Sequence, residues 1–261
     1  TIQSYNRRLV MSRKKTKTVN KNLLANSHIE EEIQDNQLPT IRKLKIKKNK
    51  KFNEKQSIFF DIATKDSTKL MFIDGPAGTA KTWLSVYCGL ELFQNQKIEE
   101  MIYVRSAVES SDQKLGFLPG AQDDKMAPYL EPFKDKLEEL LDPIDIRYLQ
   151  DEERIYGIPV GFLRGASWEN KFILVDEAQN LSEKELVTIM TRIGENCKVF
   201  ICGDAMQSDI GNRSGFNSIL DLFKDDASKD KGIQTFQFTE NDIVRSELVK
   251  FIITKLKSLV K

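Results

Sequence analysis

Three short stretches of this 261-residue chain combine the residue types that chemistry on a phosphate needs. The first is GPAGTAKT, from Gly75 to Thr82. Glycines let a backbone turn its N–H groups toward an anion, and a lysine followed by a hydroxyl residue adds a cation and a magnesium ligand. In this reading Gly75, Pro76, Ala77, Gly78, Thr79 and Ala80 form a cradle for a triphosphate. Lys81 reaches the β and γ phosphates, and the Thr82 hydroxyl sits on Mg²⁺. Ala80 stands where the G-x-x-x-x-G-K-[ST] pattern has its second glycine. A Cβ is crowded there if the backbone needs a positive φ.

The second stretch, FILVDEAQN, carries two adjacent carboxylates at the end of an apolar run. Asp176 is expected to hold the magnesium through water, and Glu177 to polarise the water that attacks the γ phosphate. The third, GDAMQ from Gly203, places the Gln207 amide where it can sense that phosphate. Gln56, nineteen positions before Gly75, could make paired hydrogen bonds to adenine and select ATP; the alternative is a solvent-exposed helix glutamine. Four arginines, Arg105, Arg192, Arg213 and Arg245, are candidates to finish the site from a neighbouring subunit. Arg213 and Arg245 are preferred because they follow the third motif, and a plain ion pair is the competing account for each.

These motifs must sit at strand ends. Short apolar runs predict strands at Leu70 to Asp74, Met101 to Val104, Phe172 to Val175, Lys198 to Cys202 and Ile233 to Phe238, each apolar enough to be buried on both faces. Amphipathic stretches fill the intervals, as in βα units on a parallel sheet. Ser182 and Glu185 form a capping box for a helix with Leu186, Ile189, Met190 and Ile193 on one side. Ser246 to Val260 reads as an amphipathic helix with Leu248, Phe251, Ile252, Leu256 and Leu259 together. Between 106 and 165 prolines at 119, 128, 132, 143 and 159 loosen the pattern, so an insertion with its own helix and hairpin is expected. The fold class is α/β: a RecA-like P-loop NTPase core with a mostly parallel sheet over 52–261, preceded by a flexible basic arm over 1–51.

That arm holds 14 Lys and Arg against 4 Asp and Glu, although the whole chain is only +1. It can be a solvated tail, a contact to nucleic-acid phosphate through IRKLKIKKNKK, or a partner for the acidic body of a neighbouring subunit. Three cysteines without CxxC spacing and one histidine, His28, argue against a disulfide framework, a zinc ribbon and multi-histidine metal sites. No apolar run is long enough to span a membrane, so the expected setting is the cytoplasm.

From Asn53 to Phe251 the sequence resembles the PhoH-like ATPases. The likeness rests on KFNEKQ, GPAGTAKT, VRSAVESSDQKLGFLPG at 104–120, PYLEPF, IPVGFLRG, ILVDEAQN, MTRIG with ICGDAMQSDI, and NDIVRSELV at 241–249. Ala80, Ala166 (for an arginine) and Ser246 (for a histidine) depart from the family pattern. The resemblance implies an ATP-hydrolysing protein related to superfamily 1 helicases, linked to RNA metabolism, common in phages and assembled as a homo-oligomeric ring, most simply a hexamer. Some relatives carry a fused ribonuclease domain; the 210 residues after the arm are all needed by the ATPase core, so no intrinsic nuclease is expected. Three functions compete: an ATPase that remodels RNA or single-stranded DNA, an ATP-gated binding or assembly switch with negligible turnover, and a small-molecule phosphotransferase. The last is disfavoured by DEAQ with GDAMQ and by the lack of an arginine-rich lid.

Overall fold

The computed structural model describes residues 42–47, 51–106, 122–163, 167–244 and 247–256. In chain order they form α1 (Glu54–Thr64), β1 (Leu70–Asp74), α2 (Lys81–Gln94), β2 (Glu100–Arg105), α3 (Gln122–Leu140), α4 (Pro143–Asp151), β3 (Ile155–Pro159), β4 (Lys171–Asp176), α5 (Glu183–Met190), β5 (Lys198–Gly203), α6 (Phe216–Leu222), α7 (Asp226–Asp230), β6 (Ile233–Gln237) and α8 (Glu247–Leu256). The six strands make one sheet in the order β3-β2-β4-β5-β1-β6, with every pairing parallel. This is the α/β architecture of a P-loop NTPase core.

The unbroken apolar runs follow from burial on both faces. Met71, Ile73, Tyr103, Phe172, Leu174, Phe200 and Cys202 join one core with α1 to α4. Their sequence neighbours Leu70, Phe72, Ile102, Val104, Ile173, Val175, Val199 and Ile201 join the other with α5 and α6. Each large side chain buried this way contributes about 1.5–3 kcal/mol. A one-residue slip would exchange the two sets between differently shaped cores, which fixes the register.

All five expected strands form, although β6 is a half-buried edge strand and not buried on both faces as expected, and the sixth, β3, lies in the stretch expected to hold a hairpin. Among the described residues that stretch gives two helices and one strand, and the strand pairs parallel with β2 at the sheet edge. A Cβ on Gly157 would lie 1.8 Å from Leu130 Cδ2 of α3, so a larger residue there requires that side chain to move. α3 runs through Pro128 and Pro132, each of which removes a backbone donor. The buried row Phe133, Leu137 and Leu140 against the sheet offsets that loss.

α5 starts where the capping box places it: Ser182 N donates to Glu185 Oε2 at 2.9 Å, and Glu185 N returns to Ser182 Oγ. It stops at Met190, so Ile193 lies beyond the helix, bridged to Trp168. Lys198, at the start of β5, is buried and donates to the carbonyls of Ala63, Lys65 and Thr68, closing the C-terminal end of α1. Burial lowers its pKa to about 8.

Of the basic arm, only residues 42–47 and Lys51 lie among the described residues. Leu44 is buried in the core, Lys47 N donates to Leu140 O, and Arg42 and Lys47 pair with Asp145 and Asp142, both at 3.2 Å. Those two cations are spent on α4 and its cap, so residues 42–47 pack on the core and are not part of a flexible arm as expected. α8 is amphipathic as expected, yet Leu248, Phe251 and Ile252 are exposed, Phe251 at 60%. The three cysteines are free and buried. Among the described residues no helix is long and apolar enough to cross a membrane.

Candidate nucleotide site

The strand order decides where the motifs meet. β5 lies between β1 and β4, and Asp74 of β1 is in register with Gly203 of β5. The carboxyl ends of these three strands therefore stand side by side, at the edge where open parallel sheets bind ligands. Above them is a cavity of about 310 Å³, whose lining includes Lys81, Thr82, Asp176, Glu177, Gln179 and Gln207.

Gly75–Thr82 wraps from β1 into α2. Gly75 and Gly78 have φ of 155° and 88°, and a Cβ on Gly75 would come within 2.7 Å of Phe238 Cβ. Ala80 adopts the left-handed conformation, φ 66° and ψ 24°, as the N-cap of α2, with no side-chain cap. The alanine therefore carries the strain that the pattern's glycine would avoid, about 1–2 kcal/mol. An uncapped helix start presents N–H donors and the positive end of the helix dipole to an anion. Thr79 is fully buried and its hydroxyl donates to Pro76 O at 2.9 Å. Lys81 Nζ donates to the carbonyls of Gly75 and Pro76, at 2.5 and 3.1 Å. Val244 lines the cavity, and its N–H donates to Gly78 O at 3.0 Å.

Thr82 and Asp176 come together across the cavity floor, Oγ1 donating to Oδ1 at 3.0 Å. The second carboxylate oxygen accepts from Tyr103 OH at 2.8 Å. Burial first and the nearby Asp176 second push the Tyr103 phenol far up, so it remains a protonated donor. Tyr103 in turn stacks on Phe133 of α3, with ring centroids 5.0 Å apart. The insertion thus reaches the site, and Lys136 and Glu139 of α3, paired with each other, line the cavity. Cys202 lies on its floor; burial pushes the thiol up to about 12.

Glu177 also sits in the left-handed region, at φ 53° and ψ 42°. Its Oε2 accepts from Gln179 Nε2 at 2.5 Å, and Gln179 Oε1 accepts from Asp204 N at 3.0 Å. Further bonds join the same two turns: Ser208 Oγ to Gln179 O, Asn180 Nδ2 to Asp209 Oδ2, and Asp209 N to Asn180 Oδ1, at 2.8–3.0 Å. Asp74 accepts from Ala205 N and Gln237 Nε2, tying the β5 turn to β1 and β6.

The remaining candidates are more scattered. Gln207 lines the cavity and is exposed. Gln56 is buried, not solvent-exposed, and its Oε1 accepts from Asn53 N in the capping box of α1; it is not part of the cavity lining. Arg213 is exposed on a 3₁₀ turn and also outside that lining. Arg245 and residues 107–121 lie outside the described residues. Arg105 ends β2, in register with Asp176. Sequence reasoning missed Tyr103 and Gln179. Tyr103 hides inside an apolar run, and Gln179 was legible only as part of DEAQN.

A strand, a phosphate loop opening a helix, and a carboxylate bonded to that helix's first threonine define a P-loop nucleotide-binding protein. The family model for PhoH-like proteins matches residues 48–257, and the chain belongs to that family, an ATP-binding group of P-loop ATPase type. It is 35% identical over 190 residues to a PhoH-like protein of Mycobacterium tuberculosis, covering 72% of this chain and 53% of the relative. A PhoH-like protein of Synechocystis is 34% identical over 223 residues, covering 85% and 65%. Protein PhoH of Escherichia coli K12 is 33% identical over 187 residues, covering 70% and 51%. The chain thus spans about half to two thirds of the length of these curated relatives.

Proposed function

We propose that this chain binds ATP with magnesium, hydrolyses it, and uses the cycle to act on RNA or single-stranded nucleic acid as a homo-oligomer, in the manner of superfamily 1 helicase cores. The single observation that carries the reading is the 3.0 Å bond between Thr82 and Asp176, with Glu177 and Lys81 lining the same cavity. The donor set fits magnesium, since a hydroxyl and a carboxylate are the hard oxygen ligands it takes. When bound there, the ion would neutralise charge on the phosphates.

The other roles fall to the protein's own groups. Lys81 exchanges two loop carbonyls for phosphate oxygens. The N–H groups of Ala77–Thr82 hold the β phosphate, and Gln207 donates to the γ phosphate. Glu177 accepts a proton from the water that attacks the γ phosphorus as ADP leaves.

Among the described residues no arginine lines the cavity. Arg245 follows Val244, which hangs on the phosphate loop, and the apolar residues of α8 come directly after. This supports a second copy of the chain seated on α8, with arginines exchanged between neighbours around a ring. For nucleic acid the support is the lysines of the 41–51 run other than Lys47, which is spent on α4 as Arg42 is, and Arg105 at the site edge.

The test is phosphate release from ATP by the full chain, with and without single-stranded RNA, beside light scattering over a concentration series. No release in either condition overturns the ATPase reading, and an active strict monomer overturns the exchange of arginines. Replacing Lys43, Lys45, Lys48, Lys50 and Lys51 with glutamine, which leaves Leu44 and the Arg42 and Lys47 ion pairs in place, should lower the salt slope of RNA binding by about one unit per lost phosphate contact; an unchanged slope removes the arm from the interface.

A further inference from the structure

We propose that Gln179 is a positioning residue, which holds the Glu177 carboxylate in place for proton transfer only while the loop after β5 is seated. The proposal deepens the ATPase reading and rests on it.

A glutamine amide has two different ends, and here each has one partner. Oε1 accepts from Asp204 N at 3.0 Å, which forces Nε2 toward Glu177 Oε2. Without the Asp204 N–H the amide could turn over and face the carboxylate with its own oxygen, a repulsive contact. The Asp204 backbone therefore decides whether Glu177 meets a donor or an acceptor. One carboxylate oxygen is fixed in this way, and the other stays available to a water. Gln179 is itself 5% exposed, so its amide has little freedom to find other partners.

Glu177 needs such a hold, because its own backbone is in the left-handed region, a conformation that persists only where the surroundings impose it. The loop supplying the hold is the one that carries Gln207. It is fastened to the Glu177 turn by Ser208 and by the reciprocal Asn180 and Asp209 pair. Its seated position has a cost as well, since Asp204 Oδ2 is buried without a hydrogen-bond partner. A phosphate drawing on Gln207 thus acts on the same short loop that sets the Gln179 amide.

The experiment compares Gln179→Glu with Gln179→Ala in the full chain, reading kcat and KM for ATP, and amide exchange at Asp204. Glutamate keeps an acceptor for Asp204 N but opposes Glu177 with a like charge, whereas alanine loses both bonds. The expected result is a 10–100-fold fall in kcat for both, with KM within about twofold, and faster exchange at Asp204 in the alanine variant alone. Wild-type kcat in Gln179→Glu with a fall in Gln179→Ala overturns the assignment, because the amide would then only hold the loop. A rise in KM with kcat unchanged also overturns it. If either variant fails to fold, Gln179→Met keeps the volume and is held to the same kcat and KM criteria. No phosphate release by the unsubstituted chain overturns the ATPase reading and this assignment together, whereas wild-type kcat in Gln179→Glu removes this assignment alone.

Discussion

The phosphate loop and the paired turns after β4 and β5 line the same cavity but are held in opposite ways. Gly75–Thr82 is shaped mainly by backbone conformation, with Thr79 and Lys81 bonding to the loop's own carbonyls. The turns from Glu177 to Asp209 are fastened by side chains, with amide, hydroxyl and carboxylate groups spent on each other. A loop that must receive an anion has to keep its N–H donors unspent. A turn that must aim one carboxylate has to spend its polar atoms. Binding and turnover are therefore expected to respond to different substitutions.

The sharpest way to break that separation is to substitute one residue on each side. Lys81→Ala should abolish ATP binding. Glu177→Gln should leave binding intact and slow phosphate release by about 10²–10⁴-fold. Near-wild-type release in Glu177→Gln would place the base elsewhere. Tyr103→Phe probes the carboxylate that joins the two sides. Removing the donor to Asp176 should weaken magnesium-dependent ATP binding by about 10–100-fold, as loss of a ligand's supporting bond does, and calorimetric titration with and without magnesium measures it.

Alkaline stability tests the core beneath the turns. Burial pushes Cys202 up to about 12 and Cys88 higher still, from 9.0. The folded thiols keep their protons where the unfolded ones ionise, so their contribution is whole below pH 9 and is lost as pH rises toward 12. Each thiol then costs about 1.4 kcal/mol per pH unit above 9. Lys198 works in the other direction: held at about 8 in the fold against 10.5, it adds stability as pH climbs between those values. Urea midpoints from pH 7 to 10 should show Cys88→Ala with Cys202→Ala gaining on the parent above pH 9, the lysine being common to both.

Two smaller effects complete the comparison. Asn180→Ala removes both bonds to Asp209 and should cost about 1–3 kcal/mol in denaturant unfolding. Its kcat should fall by a larger factor than its ATP affinity. Ala80→Gly relieves a left-handed alanine worth about 1–2 kcal/mol, offset by about 0.5–1 kcal/mol of glycine backbone entropy. A thermal scan should therefore record a gain of about 0–1.5 kcal/mol.

What the sequence made legible was whatever a local rule controls. Apolar runs place β1, β4 and β5, Ser182 with Glu185 starts α5, and Lys81 with Thr82 opens α2. The partners of those residues were not legible. β3 escapes notice because Gly157 and Pro159 interrupt its apolar pattern, as they can at a sheet edge. A helix is expected in this stretch, but the bounds of α3 are hidden by Pro128 and Pro132, and it is stabilised by a buried row that only the tertiary structure provides. Tyr103 reads as a core aromatic until Asp176 is seen 2.8 Å from its hydroxyl. Gln179 acquires its role only when Asp204, far along the chain, is brought to its carbonyl oxygen.

The placing of β5 between β1 and β4 also bears on how the protein survives in a cell. The phosphate loop after β1, Asp176 of β4 and Gly203 of β5 come from widely separated parts of the chain, so the site that holds a nucleotide is complete only when all three strands are in place. The ligand therefore favours the assembled sheet over every partly opened form. At a concentration a hundred times its dissociation constant it would add about 2.7 kcal/mol to that preference. Resistance to proteases should accordingly follow the nucleotide supply, and a chain starved of its ligand would be degraded first.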